Sequence, residues 1–101
     1  MNDPNMIILI TGSRKGIGYQ LVQHYLNNKC VVIGCSISES EVNHDNYIHY
    51  TLDVSDEEKV GLMFHEIRKK FGRLDVLINN AGMASLNHSL LTPVSTIKKL
   101  F

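Results

Sequence analysis

The chain has no tryptophan, only two cysteines and only two prolines among its 101 residues, and its 10 Lys+Arg are matched by 10 Asp+Glu. Each scarcity excludes something. A disulfide-stapled secreted scaffold needs a dense set of cysteines. Cys30 and Cys35 share one candidate strand at odd spacing and so point to opposite faces; they read as reduced packing residues. A net charge of zero lacks the clustered positive excess that holds a polyanion, which argues against nucleic acid or a membrane surface as the main partner. The apolar run from Met6 to Ile10 is far below the roughly 20 residues that cross a bilayer, and too short for a signal-peptide core. The expected location is therefore cytoplasmic. His24, His44, His49, His65 and His88 are scattered without the spacing of a zinc site, so no metal is expected. What is there, with 44% hydrophobic residues, suffices for one modest core.

Short β-rich runs alternate with helical periodicity. Met6 to Thr11 (MIILIT), Cys30 to Cys35 (CVVIGC) and Leu74 to Asn79 (LDVLIN) predict strands of a parallel sheet covered on both faces, and Tyr47 to Leu52 (YIHYTL) predicts another. From Ile17 to Asn28 the apolar residues Ile17, Leu21, Val22, Tyr25 and Leu26 recur at helical spacing. The segment Ser36 to Asn46 is short for a parallel crossover and leaves room for one helical turn at most. Ser55, Asp56, Glu57 and Glu58 read as a capping box with Ser55 as the N-cap. The stripe Val60, Met63, Phe64, Ile67 and Phe71 then runs to a stop at Gly72. Thr92 and Pro93 predict the start of a last helix, with Val94, Ile97 and Phe101 on its apolar face. Four strands linked by crossovers predict an α/β fold: the N-terminal half of a Rossmann-like doubly wound parallel sheet, strand order 3-2-1-4. The fourth strand is then an exposed edge, open to aggregation unless covered.

The glycines sit where the first strand meets the first helix, in Thr11-Gly-Ser-Arg-Lys-Gly-Ile-Gly18. Helix N-termini offer unpaired amides and a positive dipole end to phosphate. Gly12 allows the tight exit from the strand, Gly16 removes a Cβ that would block a pyrophosphate, and Gly18 permits close approach of the helix. The spacing matches neither the P-loop nor G-x-G-x-x-G.

This T-G-x-x-x-G-x-G pattern resembles the nucleotide loop of the short-chain dehydrogenase/reductase family. Leu52-Asp53-Val54 resembles that family's adenine-contact motif, and Asn79-Asn80-Ala81-Gly82 its fourth-strand signature, in the family's order. The likeness is greatest to the 3-oxoacyl-acyl-carrier-protein reductase type, apart from the shortened crossover. It implies one NAD(P)-binding domain over residues 1–101 that breaks off in the helix after the fourth strand. It further implies that Gly12, Ser13, Gly16, Ile17 and Gly18 line the pyrophosphate and adjoining ribose, that Asp53 accepts from the adenine amino group, and that the Val54 amide addresses the ring. Asn80, Ala81 and Gly82 would lie beside the ribose and the passage to the nicotinamide, while Asn79 is expected to brace the sheet through backbone hydrogen bonds.

An acid at the end of the second strand would hold the NAD ribose hydroxyls and repel a 2′-phosphate. Ser36 stands there instead, followed by Ile37 and Ser38, while Arg14 and Lys15 lie in the glycine loop, Lys15 at the family's basic position. NADP(H) is expected over NAD(H), although Ile37 replaces an arginine common in that class. The family's Asn-Ser-Tyr-Lys catalytic set lies beyond the fourth strand, and Tyr25 with Lys29, at Y-x-x-x-K spacing, falls at the end of a helix facing the sheet. No catalytic residue is therefore assigned. The longer protein would transfer hydride between cofactor and a small carbonyl or alcohol and form a homo-oligomer. The rival expectation is a non-catalytic nucleotide-binding half-module or truncated remnant.

Overall fold

The aliphatic runs become the centre of one sheet. The computed structural model describes residues 6–13, 16–80 and 96–98. Its elements are β1 (Ile7–Thr11), α1 (Gly16–Asn27), β2 (Val31–Ser36), β3 (Tyr47–Thr51), α2 (Glu57–Phe71), β4 (Val76–Asn79) and β5 (Thr96–Lys98). The strands stand in the order β3-β2-β1-β4-β5. The first four are parallel, with Leu9 opposite both Ile33 and Leu77. The expected 3-2-1-4 order is thus present.

Strand alternation sends successive side chains to opposite faces. Ile8, Ile10, Val32, Val76 and Ile78 pack with Val22 and Leu26 of α1. Ile7, Leu9, Ile33 and Leu77 pack with Val60, Met63 and Ile67 of α2. One helix covers each face, which explains why β1 is buried along its whole length. Cys30 joins the α1 face and Cys35 the α2 face, both buried and unbridged.

Four expectations need correction. Thr96–Lys98 is a strand, antiparallel to β4 with Ile97 opposite Leu77, and not part of a helix. The unpaired backbone row of β4 outweighs the local Thr-Pro signal, and β-branched Thr96 and Ile97 suit a strand. The rest of the predicted helix lies outside the described residues. The β4 edge is consequently covered along Val76–Ile78 rather than open.

The N-cap of α2 is Asp56, whose Oδ1 accepts from the Lys59 amide at 3.2 Å. Ser55 cannot serve, because its amide and hydroxyl both donate to Asp53 Oδ1, at 2.9 and 2.8 Å. Gly72 ends α2 in the left-handed region, φ 75°, and donates to the Arg68 carbonyl. Lastly, Ile17 is 68% exposed and lies off the buried stripe of α1, which runs through Gly18, Val22 and Leu26. Helix α1 closes at Lys29, φ 66°. There Cys30 N donates to Tyr25 O and Lys29 N to Leu26 O, a Schellman pattern.

The β2–β3 crossover contains no helical turn. Val42 from this segment packs against the α1-side core. At the opposite end of the sheet, Asp75 Oδ2 accepts from the Ile7 amide at 2.8 Å and from Arg73 Nε at 2.9 Å, fixing the start of β1.

Candidate functional site

The carboxyl ends of β1, β2, β3 and β4 meet at one rim, where open α/β sheets bind ligands. The exit from β1 is held to β2: the Gly12 and Ser13 amides donate to the Cys35 carbonyl, at 2.8 and 3.3 Å. Gly12 and Gly16 both have φ 65°, a conformation costly for residues with a Cβ. A Cβ at Gly16 would meet none of the described residues within 4 Å, so among them the space beside it is open. A Cβ at Gly18 would overlap the Gly12 carbonyl and lie 2.9 Å from Asn80 Nδ2. The close approach that Gly18 permits is therefore to the glycine loop itself.

Helix α1 has no acidic residue in its first turn, so no carboxylate there neutralises the positive end of its dipole. Ile17, in the same turn, is exposed.

The exits from β1 and β4 are tied together. Thr11 Oγ1 donates to Asn79 Oδ1 at 3.0 Å, both residues fully buried. Asn80 Nδ2 donates to the Gly12 carbonyl at 3.3 Å. Asn79 thus braces the sheet through its side chain, to the Thr11 hydroxyl, and Asn80 reaches the loop expected to hold pyrophosphate.

After β3, Asp53 is exposed and Val54 is buried in the α2-side core. The Ser55 amide and then its hydroxyl hold the Asp53 carboxyl below its ordinary value. Both donate to Oδ1, which leaves Oδ2 as an acceptor facing solvent. Arg14, Lys15, Ala81 and Gly82 lie outside the described residues.

Ser13 is buried, and its hydroxyl is directed into the fold rather than outward: Oγ lies 3.3 Å from Tyr47 Oη and 3.5 Å from the Cys35 carbonyl. Tyr47 reaches it by lying across Gly34, where a Cβ would overlap the phenol oxygen and stand 2.6 Å from Ser13 Oγ. Tyr47 Oη also meets His49 Nδ1 at 2.9 Å, and His49 Nε2 meets Ser36 Oγ at 3.1 Å. Burial is the main cause that raises the Tyr47 phenol above its ordinary value, so it stays a neutral donor at neutral pH. Burial, and secondarily the Asp53 charge, pushes the Cys35 thiol up to about 12. It is a packing group, not a nucleophile.

Tyr47, His49 and Gly34 were not singled out from the sequence as site residues. The available signal was a glycine inside a buried strand, which marks close approach, beside a polar pair at i and i+2 on one face of β3.

A Rossmann-like α/β sheet of the nucleotide-binding kind is the class that this fold and rim define. The short chain dehydrogenase family model matches residues 6–101, and the chain belongs to that family. It is 34% identical over 102 residues to the benzil reductase ((S)-benzoin forming) of Saccharomyces cerevisiae, covering 92% of this chain and 36% of that protein. It is 33% identical over 87 residues to the 3-oxoacyl-[acyl-carrier-protein] reductase of Haemophilus influenzae, covering 80% and 36%. Among solved structures it is similar to a variant of ElxO with NADPH bound, at TM-score 0.70 and 40% identity, covering 79% of this chain and 36% of that one. A short chain dehydrogenase from Leptospira borgpetersenii with bound NAD+ shares the fold at TM-score 0.72 and 24% identity, covering 77% and 32%. The chain spans little more than a third of the length of these curated relatives.

Proposed function

We propose that this chain is the cofactor-binding part of an NADP(H)-dependent oxidoreductase that moves hydride between the nicotinamide and a small carbonyl or alcohol. The observation that carries this reading is the glycine loop. Two left-handed glycines and a third pressed against the loop carbonyl leave the space beside Gly16 clear of the other described residues, at a helix end without acidic residues in its first turn. That arrangement suits a pyrophosphate.

The cofactor, when bound, supplies the hydride donor or acceptor. The chain's own residues bind and orient it. Gly12, Gly16, Gly18 and Ile17 border the pyrophosphate and ribose, Asp53 Oδ2 accepts from the adenine amine, and Asn80, Ala81 and Gly82 line the way to the nicotinamide. Ser36 stands at the adenosine ribose. The preference for NADP(H) is supported by the absence of an acid at Ser36, by Arg14 and Lys15 in the loop, and by the likeness to ElxO, solved with NADPH. The proton-transfer residues are sought in the part of the protein that its longer relatives possess beyond this span. No helix among the described residues is long and apolar enough to cross a membrane; a cytoplasmic location and a homo-oligomeric assembly complete the proposal.

Calorimetric titration of the protein with NADPH and NADH tests the reading. Saturable binding, tighter for NADPH, is expected, and Gly16→Val should weaken both by about a hundredfold, since a bulky left-handed residue fills the ligand space. Unchanged affinity in that variant would sink the loop assignment. Binding without turnover across carbonyl substrates would favour the half-module.

A further inference from the structure

The hydrogen bonds at the ends of β2 and β3 fix their own direction. The Ser38 carbonyl can only accept, and it lies 3.0 Å from His49 Nε2 and 2.7 Å from Ser36 Oγ. Nε2 therefore carries a proton, and so does Ser36 Oγ along that line. In the neutral ring Nδ1 then accepts, so Tyr47 Oη donates to it, while the Ser13 hydroxyl, which donates to the Cys35 carbonyl, lies 3.3 Å from the phenol oxygen. Tyr47 stacks on His49 with ring centroids 6.0 Å apart, which holds the imidazole edge toward Ser36. A side-chain chain thus runs from the glycine loop to the end of β2 and terminates in two donors aimed at a single oxygen.

That oxygen belongs to an exposed segment: Ile37, Ser38 and Glu39 are all solvent-facing, with Ile37 74% exposed. The donors, by contrast, are on half-buried side chains at adjoining strands, His49 being paired with Gly34 and Ser36 with Thr51. Firmly held donors converging on the carbonyl of an exposed loop form a small oxyanion receptor, filled by the chain's own backbone. A phosphate oxygen is a stronger acceptor than a peptide carbonyl because it is charged.

We infer that His49 Nε2 and Ser36 Oγ are the donor pair that takes the 2′-phosphate of NADPH, with the Ser38 carbonyl holding the place of a phosphate oxygen until it arrives. This rests on the NADP(H) reading above and adds to it a specificity-determining residue on β3. The absence of a side chain at Gly34 makes room for the Tyr47 phenol, whose oxygen partners His49 Nδ1 and so helps hold the imidazole in place.

Dissociation constants for NADPH, NADH, 2′,5′-ADP and 5′-AMP should be measured by calorimetry on the wild type and on His49→Ala. The expected result is a loss of about tenfold for NADPH and 2′,5′-ADP, as for one charge-assisted hydrogen bond. NADH and 5′-AMP should change by less than about twofold. Equal losses for all four ligands, or none for NADPH, would overturn the inference while leaving the family's cofactor reading standing. A wild type that binds neither dinucleotide would overturn both. A second readout needs no variant: in 15N-labelled wild type, the His49 Nε2 resonance should move on adding 2′,5′-ADP and stay put with 5′-AMP. A resonance that ignores 2′,5′-ADP rules His49 out as a phosphate ligand.

Discussion

Helices α1 and α2 lie on opposite faces of one sheet and are finished in different ways. Helix α2 brings its own end chemistry: Asp56 caps it, Glu57 and Glu58 face its positive end, Arg68, Lys69 and Lys70 its negative end, and Gly72 closes it. Helix α1 starts at a glycine with φ 65°, and its first turn holds no acid. Its start is fitted to the loop before it, through Gly18 against Gly12 and through Asn80 reaching the same carbonyl. A helix that serves only the core completes itself; one whose end borders a site is completed by the elements around it.

A matched pair of glycine substitutions breaks the comparison most sharply. Gly18→Ala places a methyl into the Gly12 backbone carbonyl, and neither partner is a flexible side chain that can move aside. Destabilisation of about 3 kcal/mol is expected, together with loss of dinucleotide binding as the loop shifts. Gly61→Ala, exposed in α2 with none of the described residues within 4 Å of the new Cβ, should stabilise by about 0.5 to 1 kcal/mol, the ordinary helix preference for alanine. Urea unfolding of both variants checks the pair. Equal and opposite signs are not required, but a stabilising Gly18→Ala would mean that α1 does not press on the loop.

Next in size is the cap. Asp56→Ala removes the acceptor for the Lys59 amide and should cost about 1 kcal/mol, with nicotinamide dinucleotide affinity unchanged. Ser55→Ala, by contrast, should cost α2 little, since Asp56 and not Ser55 supplies the cap. Denaturation midpoints of the two variants decide between these residues, and a larger loss at Ser55 would restore the capping box read from the sequence.

That misplacement shows what a sequence can and cannot disclose. The strands of the sheet centre were legible because burial on both faces requires uninterrupted aliphatic runs, and Ile8, Leu9 and Ile10 have no solvent exposure at all. Glycines between a strand and a helix were legible because their positive φ values are backbone requirements local to the loop. Ser55 and Asp56 are both competent caps, and the choice turned on Asp53, which engages Ser55 first. Thr96–Lys98 was misread because a Thr-Pro start is a local signal, whereas the partner that makes it a strand, β4, is distant in sequence. The contacts of Ser13, Tyr47, His49 and Ser36 were hidden for the same reason. They depend on the register that pairs Val32 with Tyr47 and Gly34 with His49, and the histidine looked like one of several scattered along the chain.

The smallest effect concerns the carboxylate that displaced the expected cap. Ser55 donates its amide and its hydroxyl to Asp53 Oδ1, which favours the charged form and holds the carboxyl below its ordinary value. The sign follows from linkage: a lowered value in the fold stabilises the native chain above the carboxyl's unfolded value, and that contribution is lost as pH falls through the folded one. Because Asp53 is fully exposed, solvent screens the effect, and a titration reads it better than a stability curve. By NMR the Asp53 carboxyl should titrate below the ordinary aspartate value, and Ser55→Ala should raise its midpoint part of the way back, since the amide remains. An unmoved midpoint in Ser55→Ala would mean that the amide alone orders this turn, and that the site's acceptor before α2 is set by backbone geometry rather than by a serine side chain.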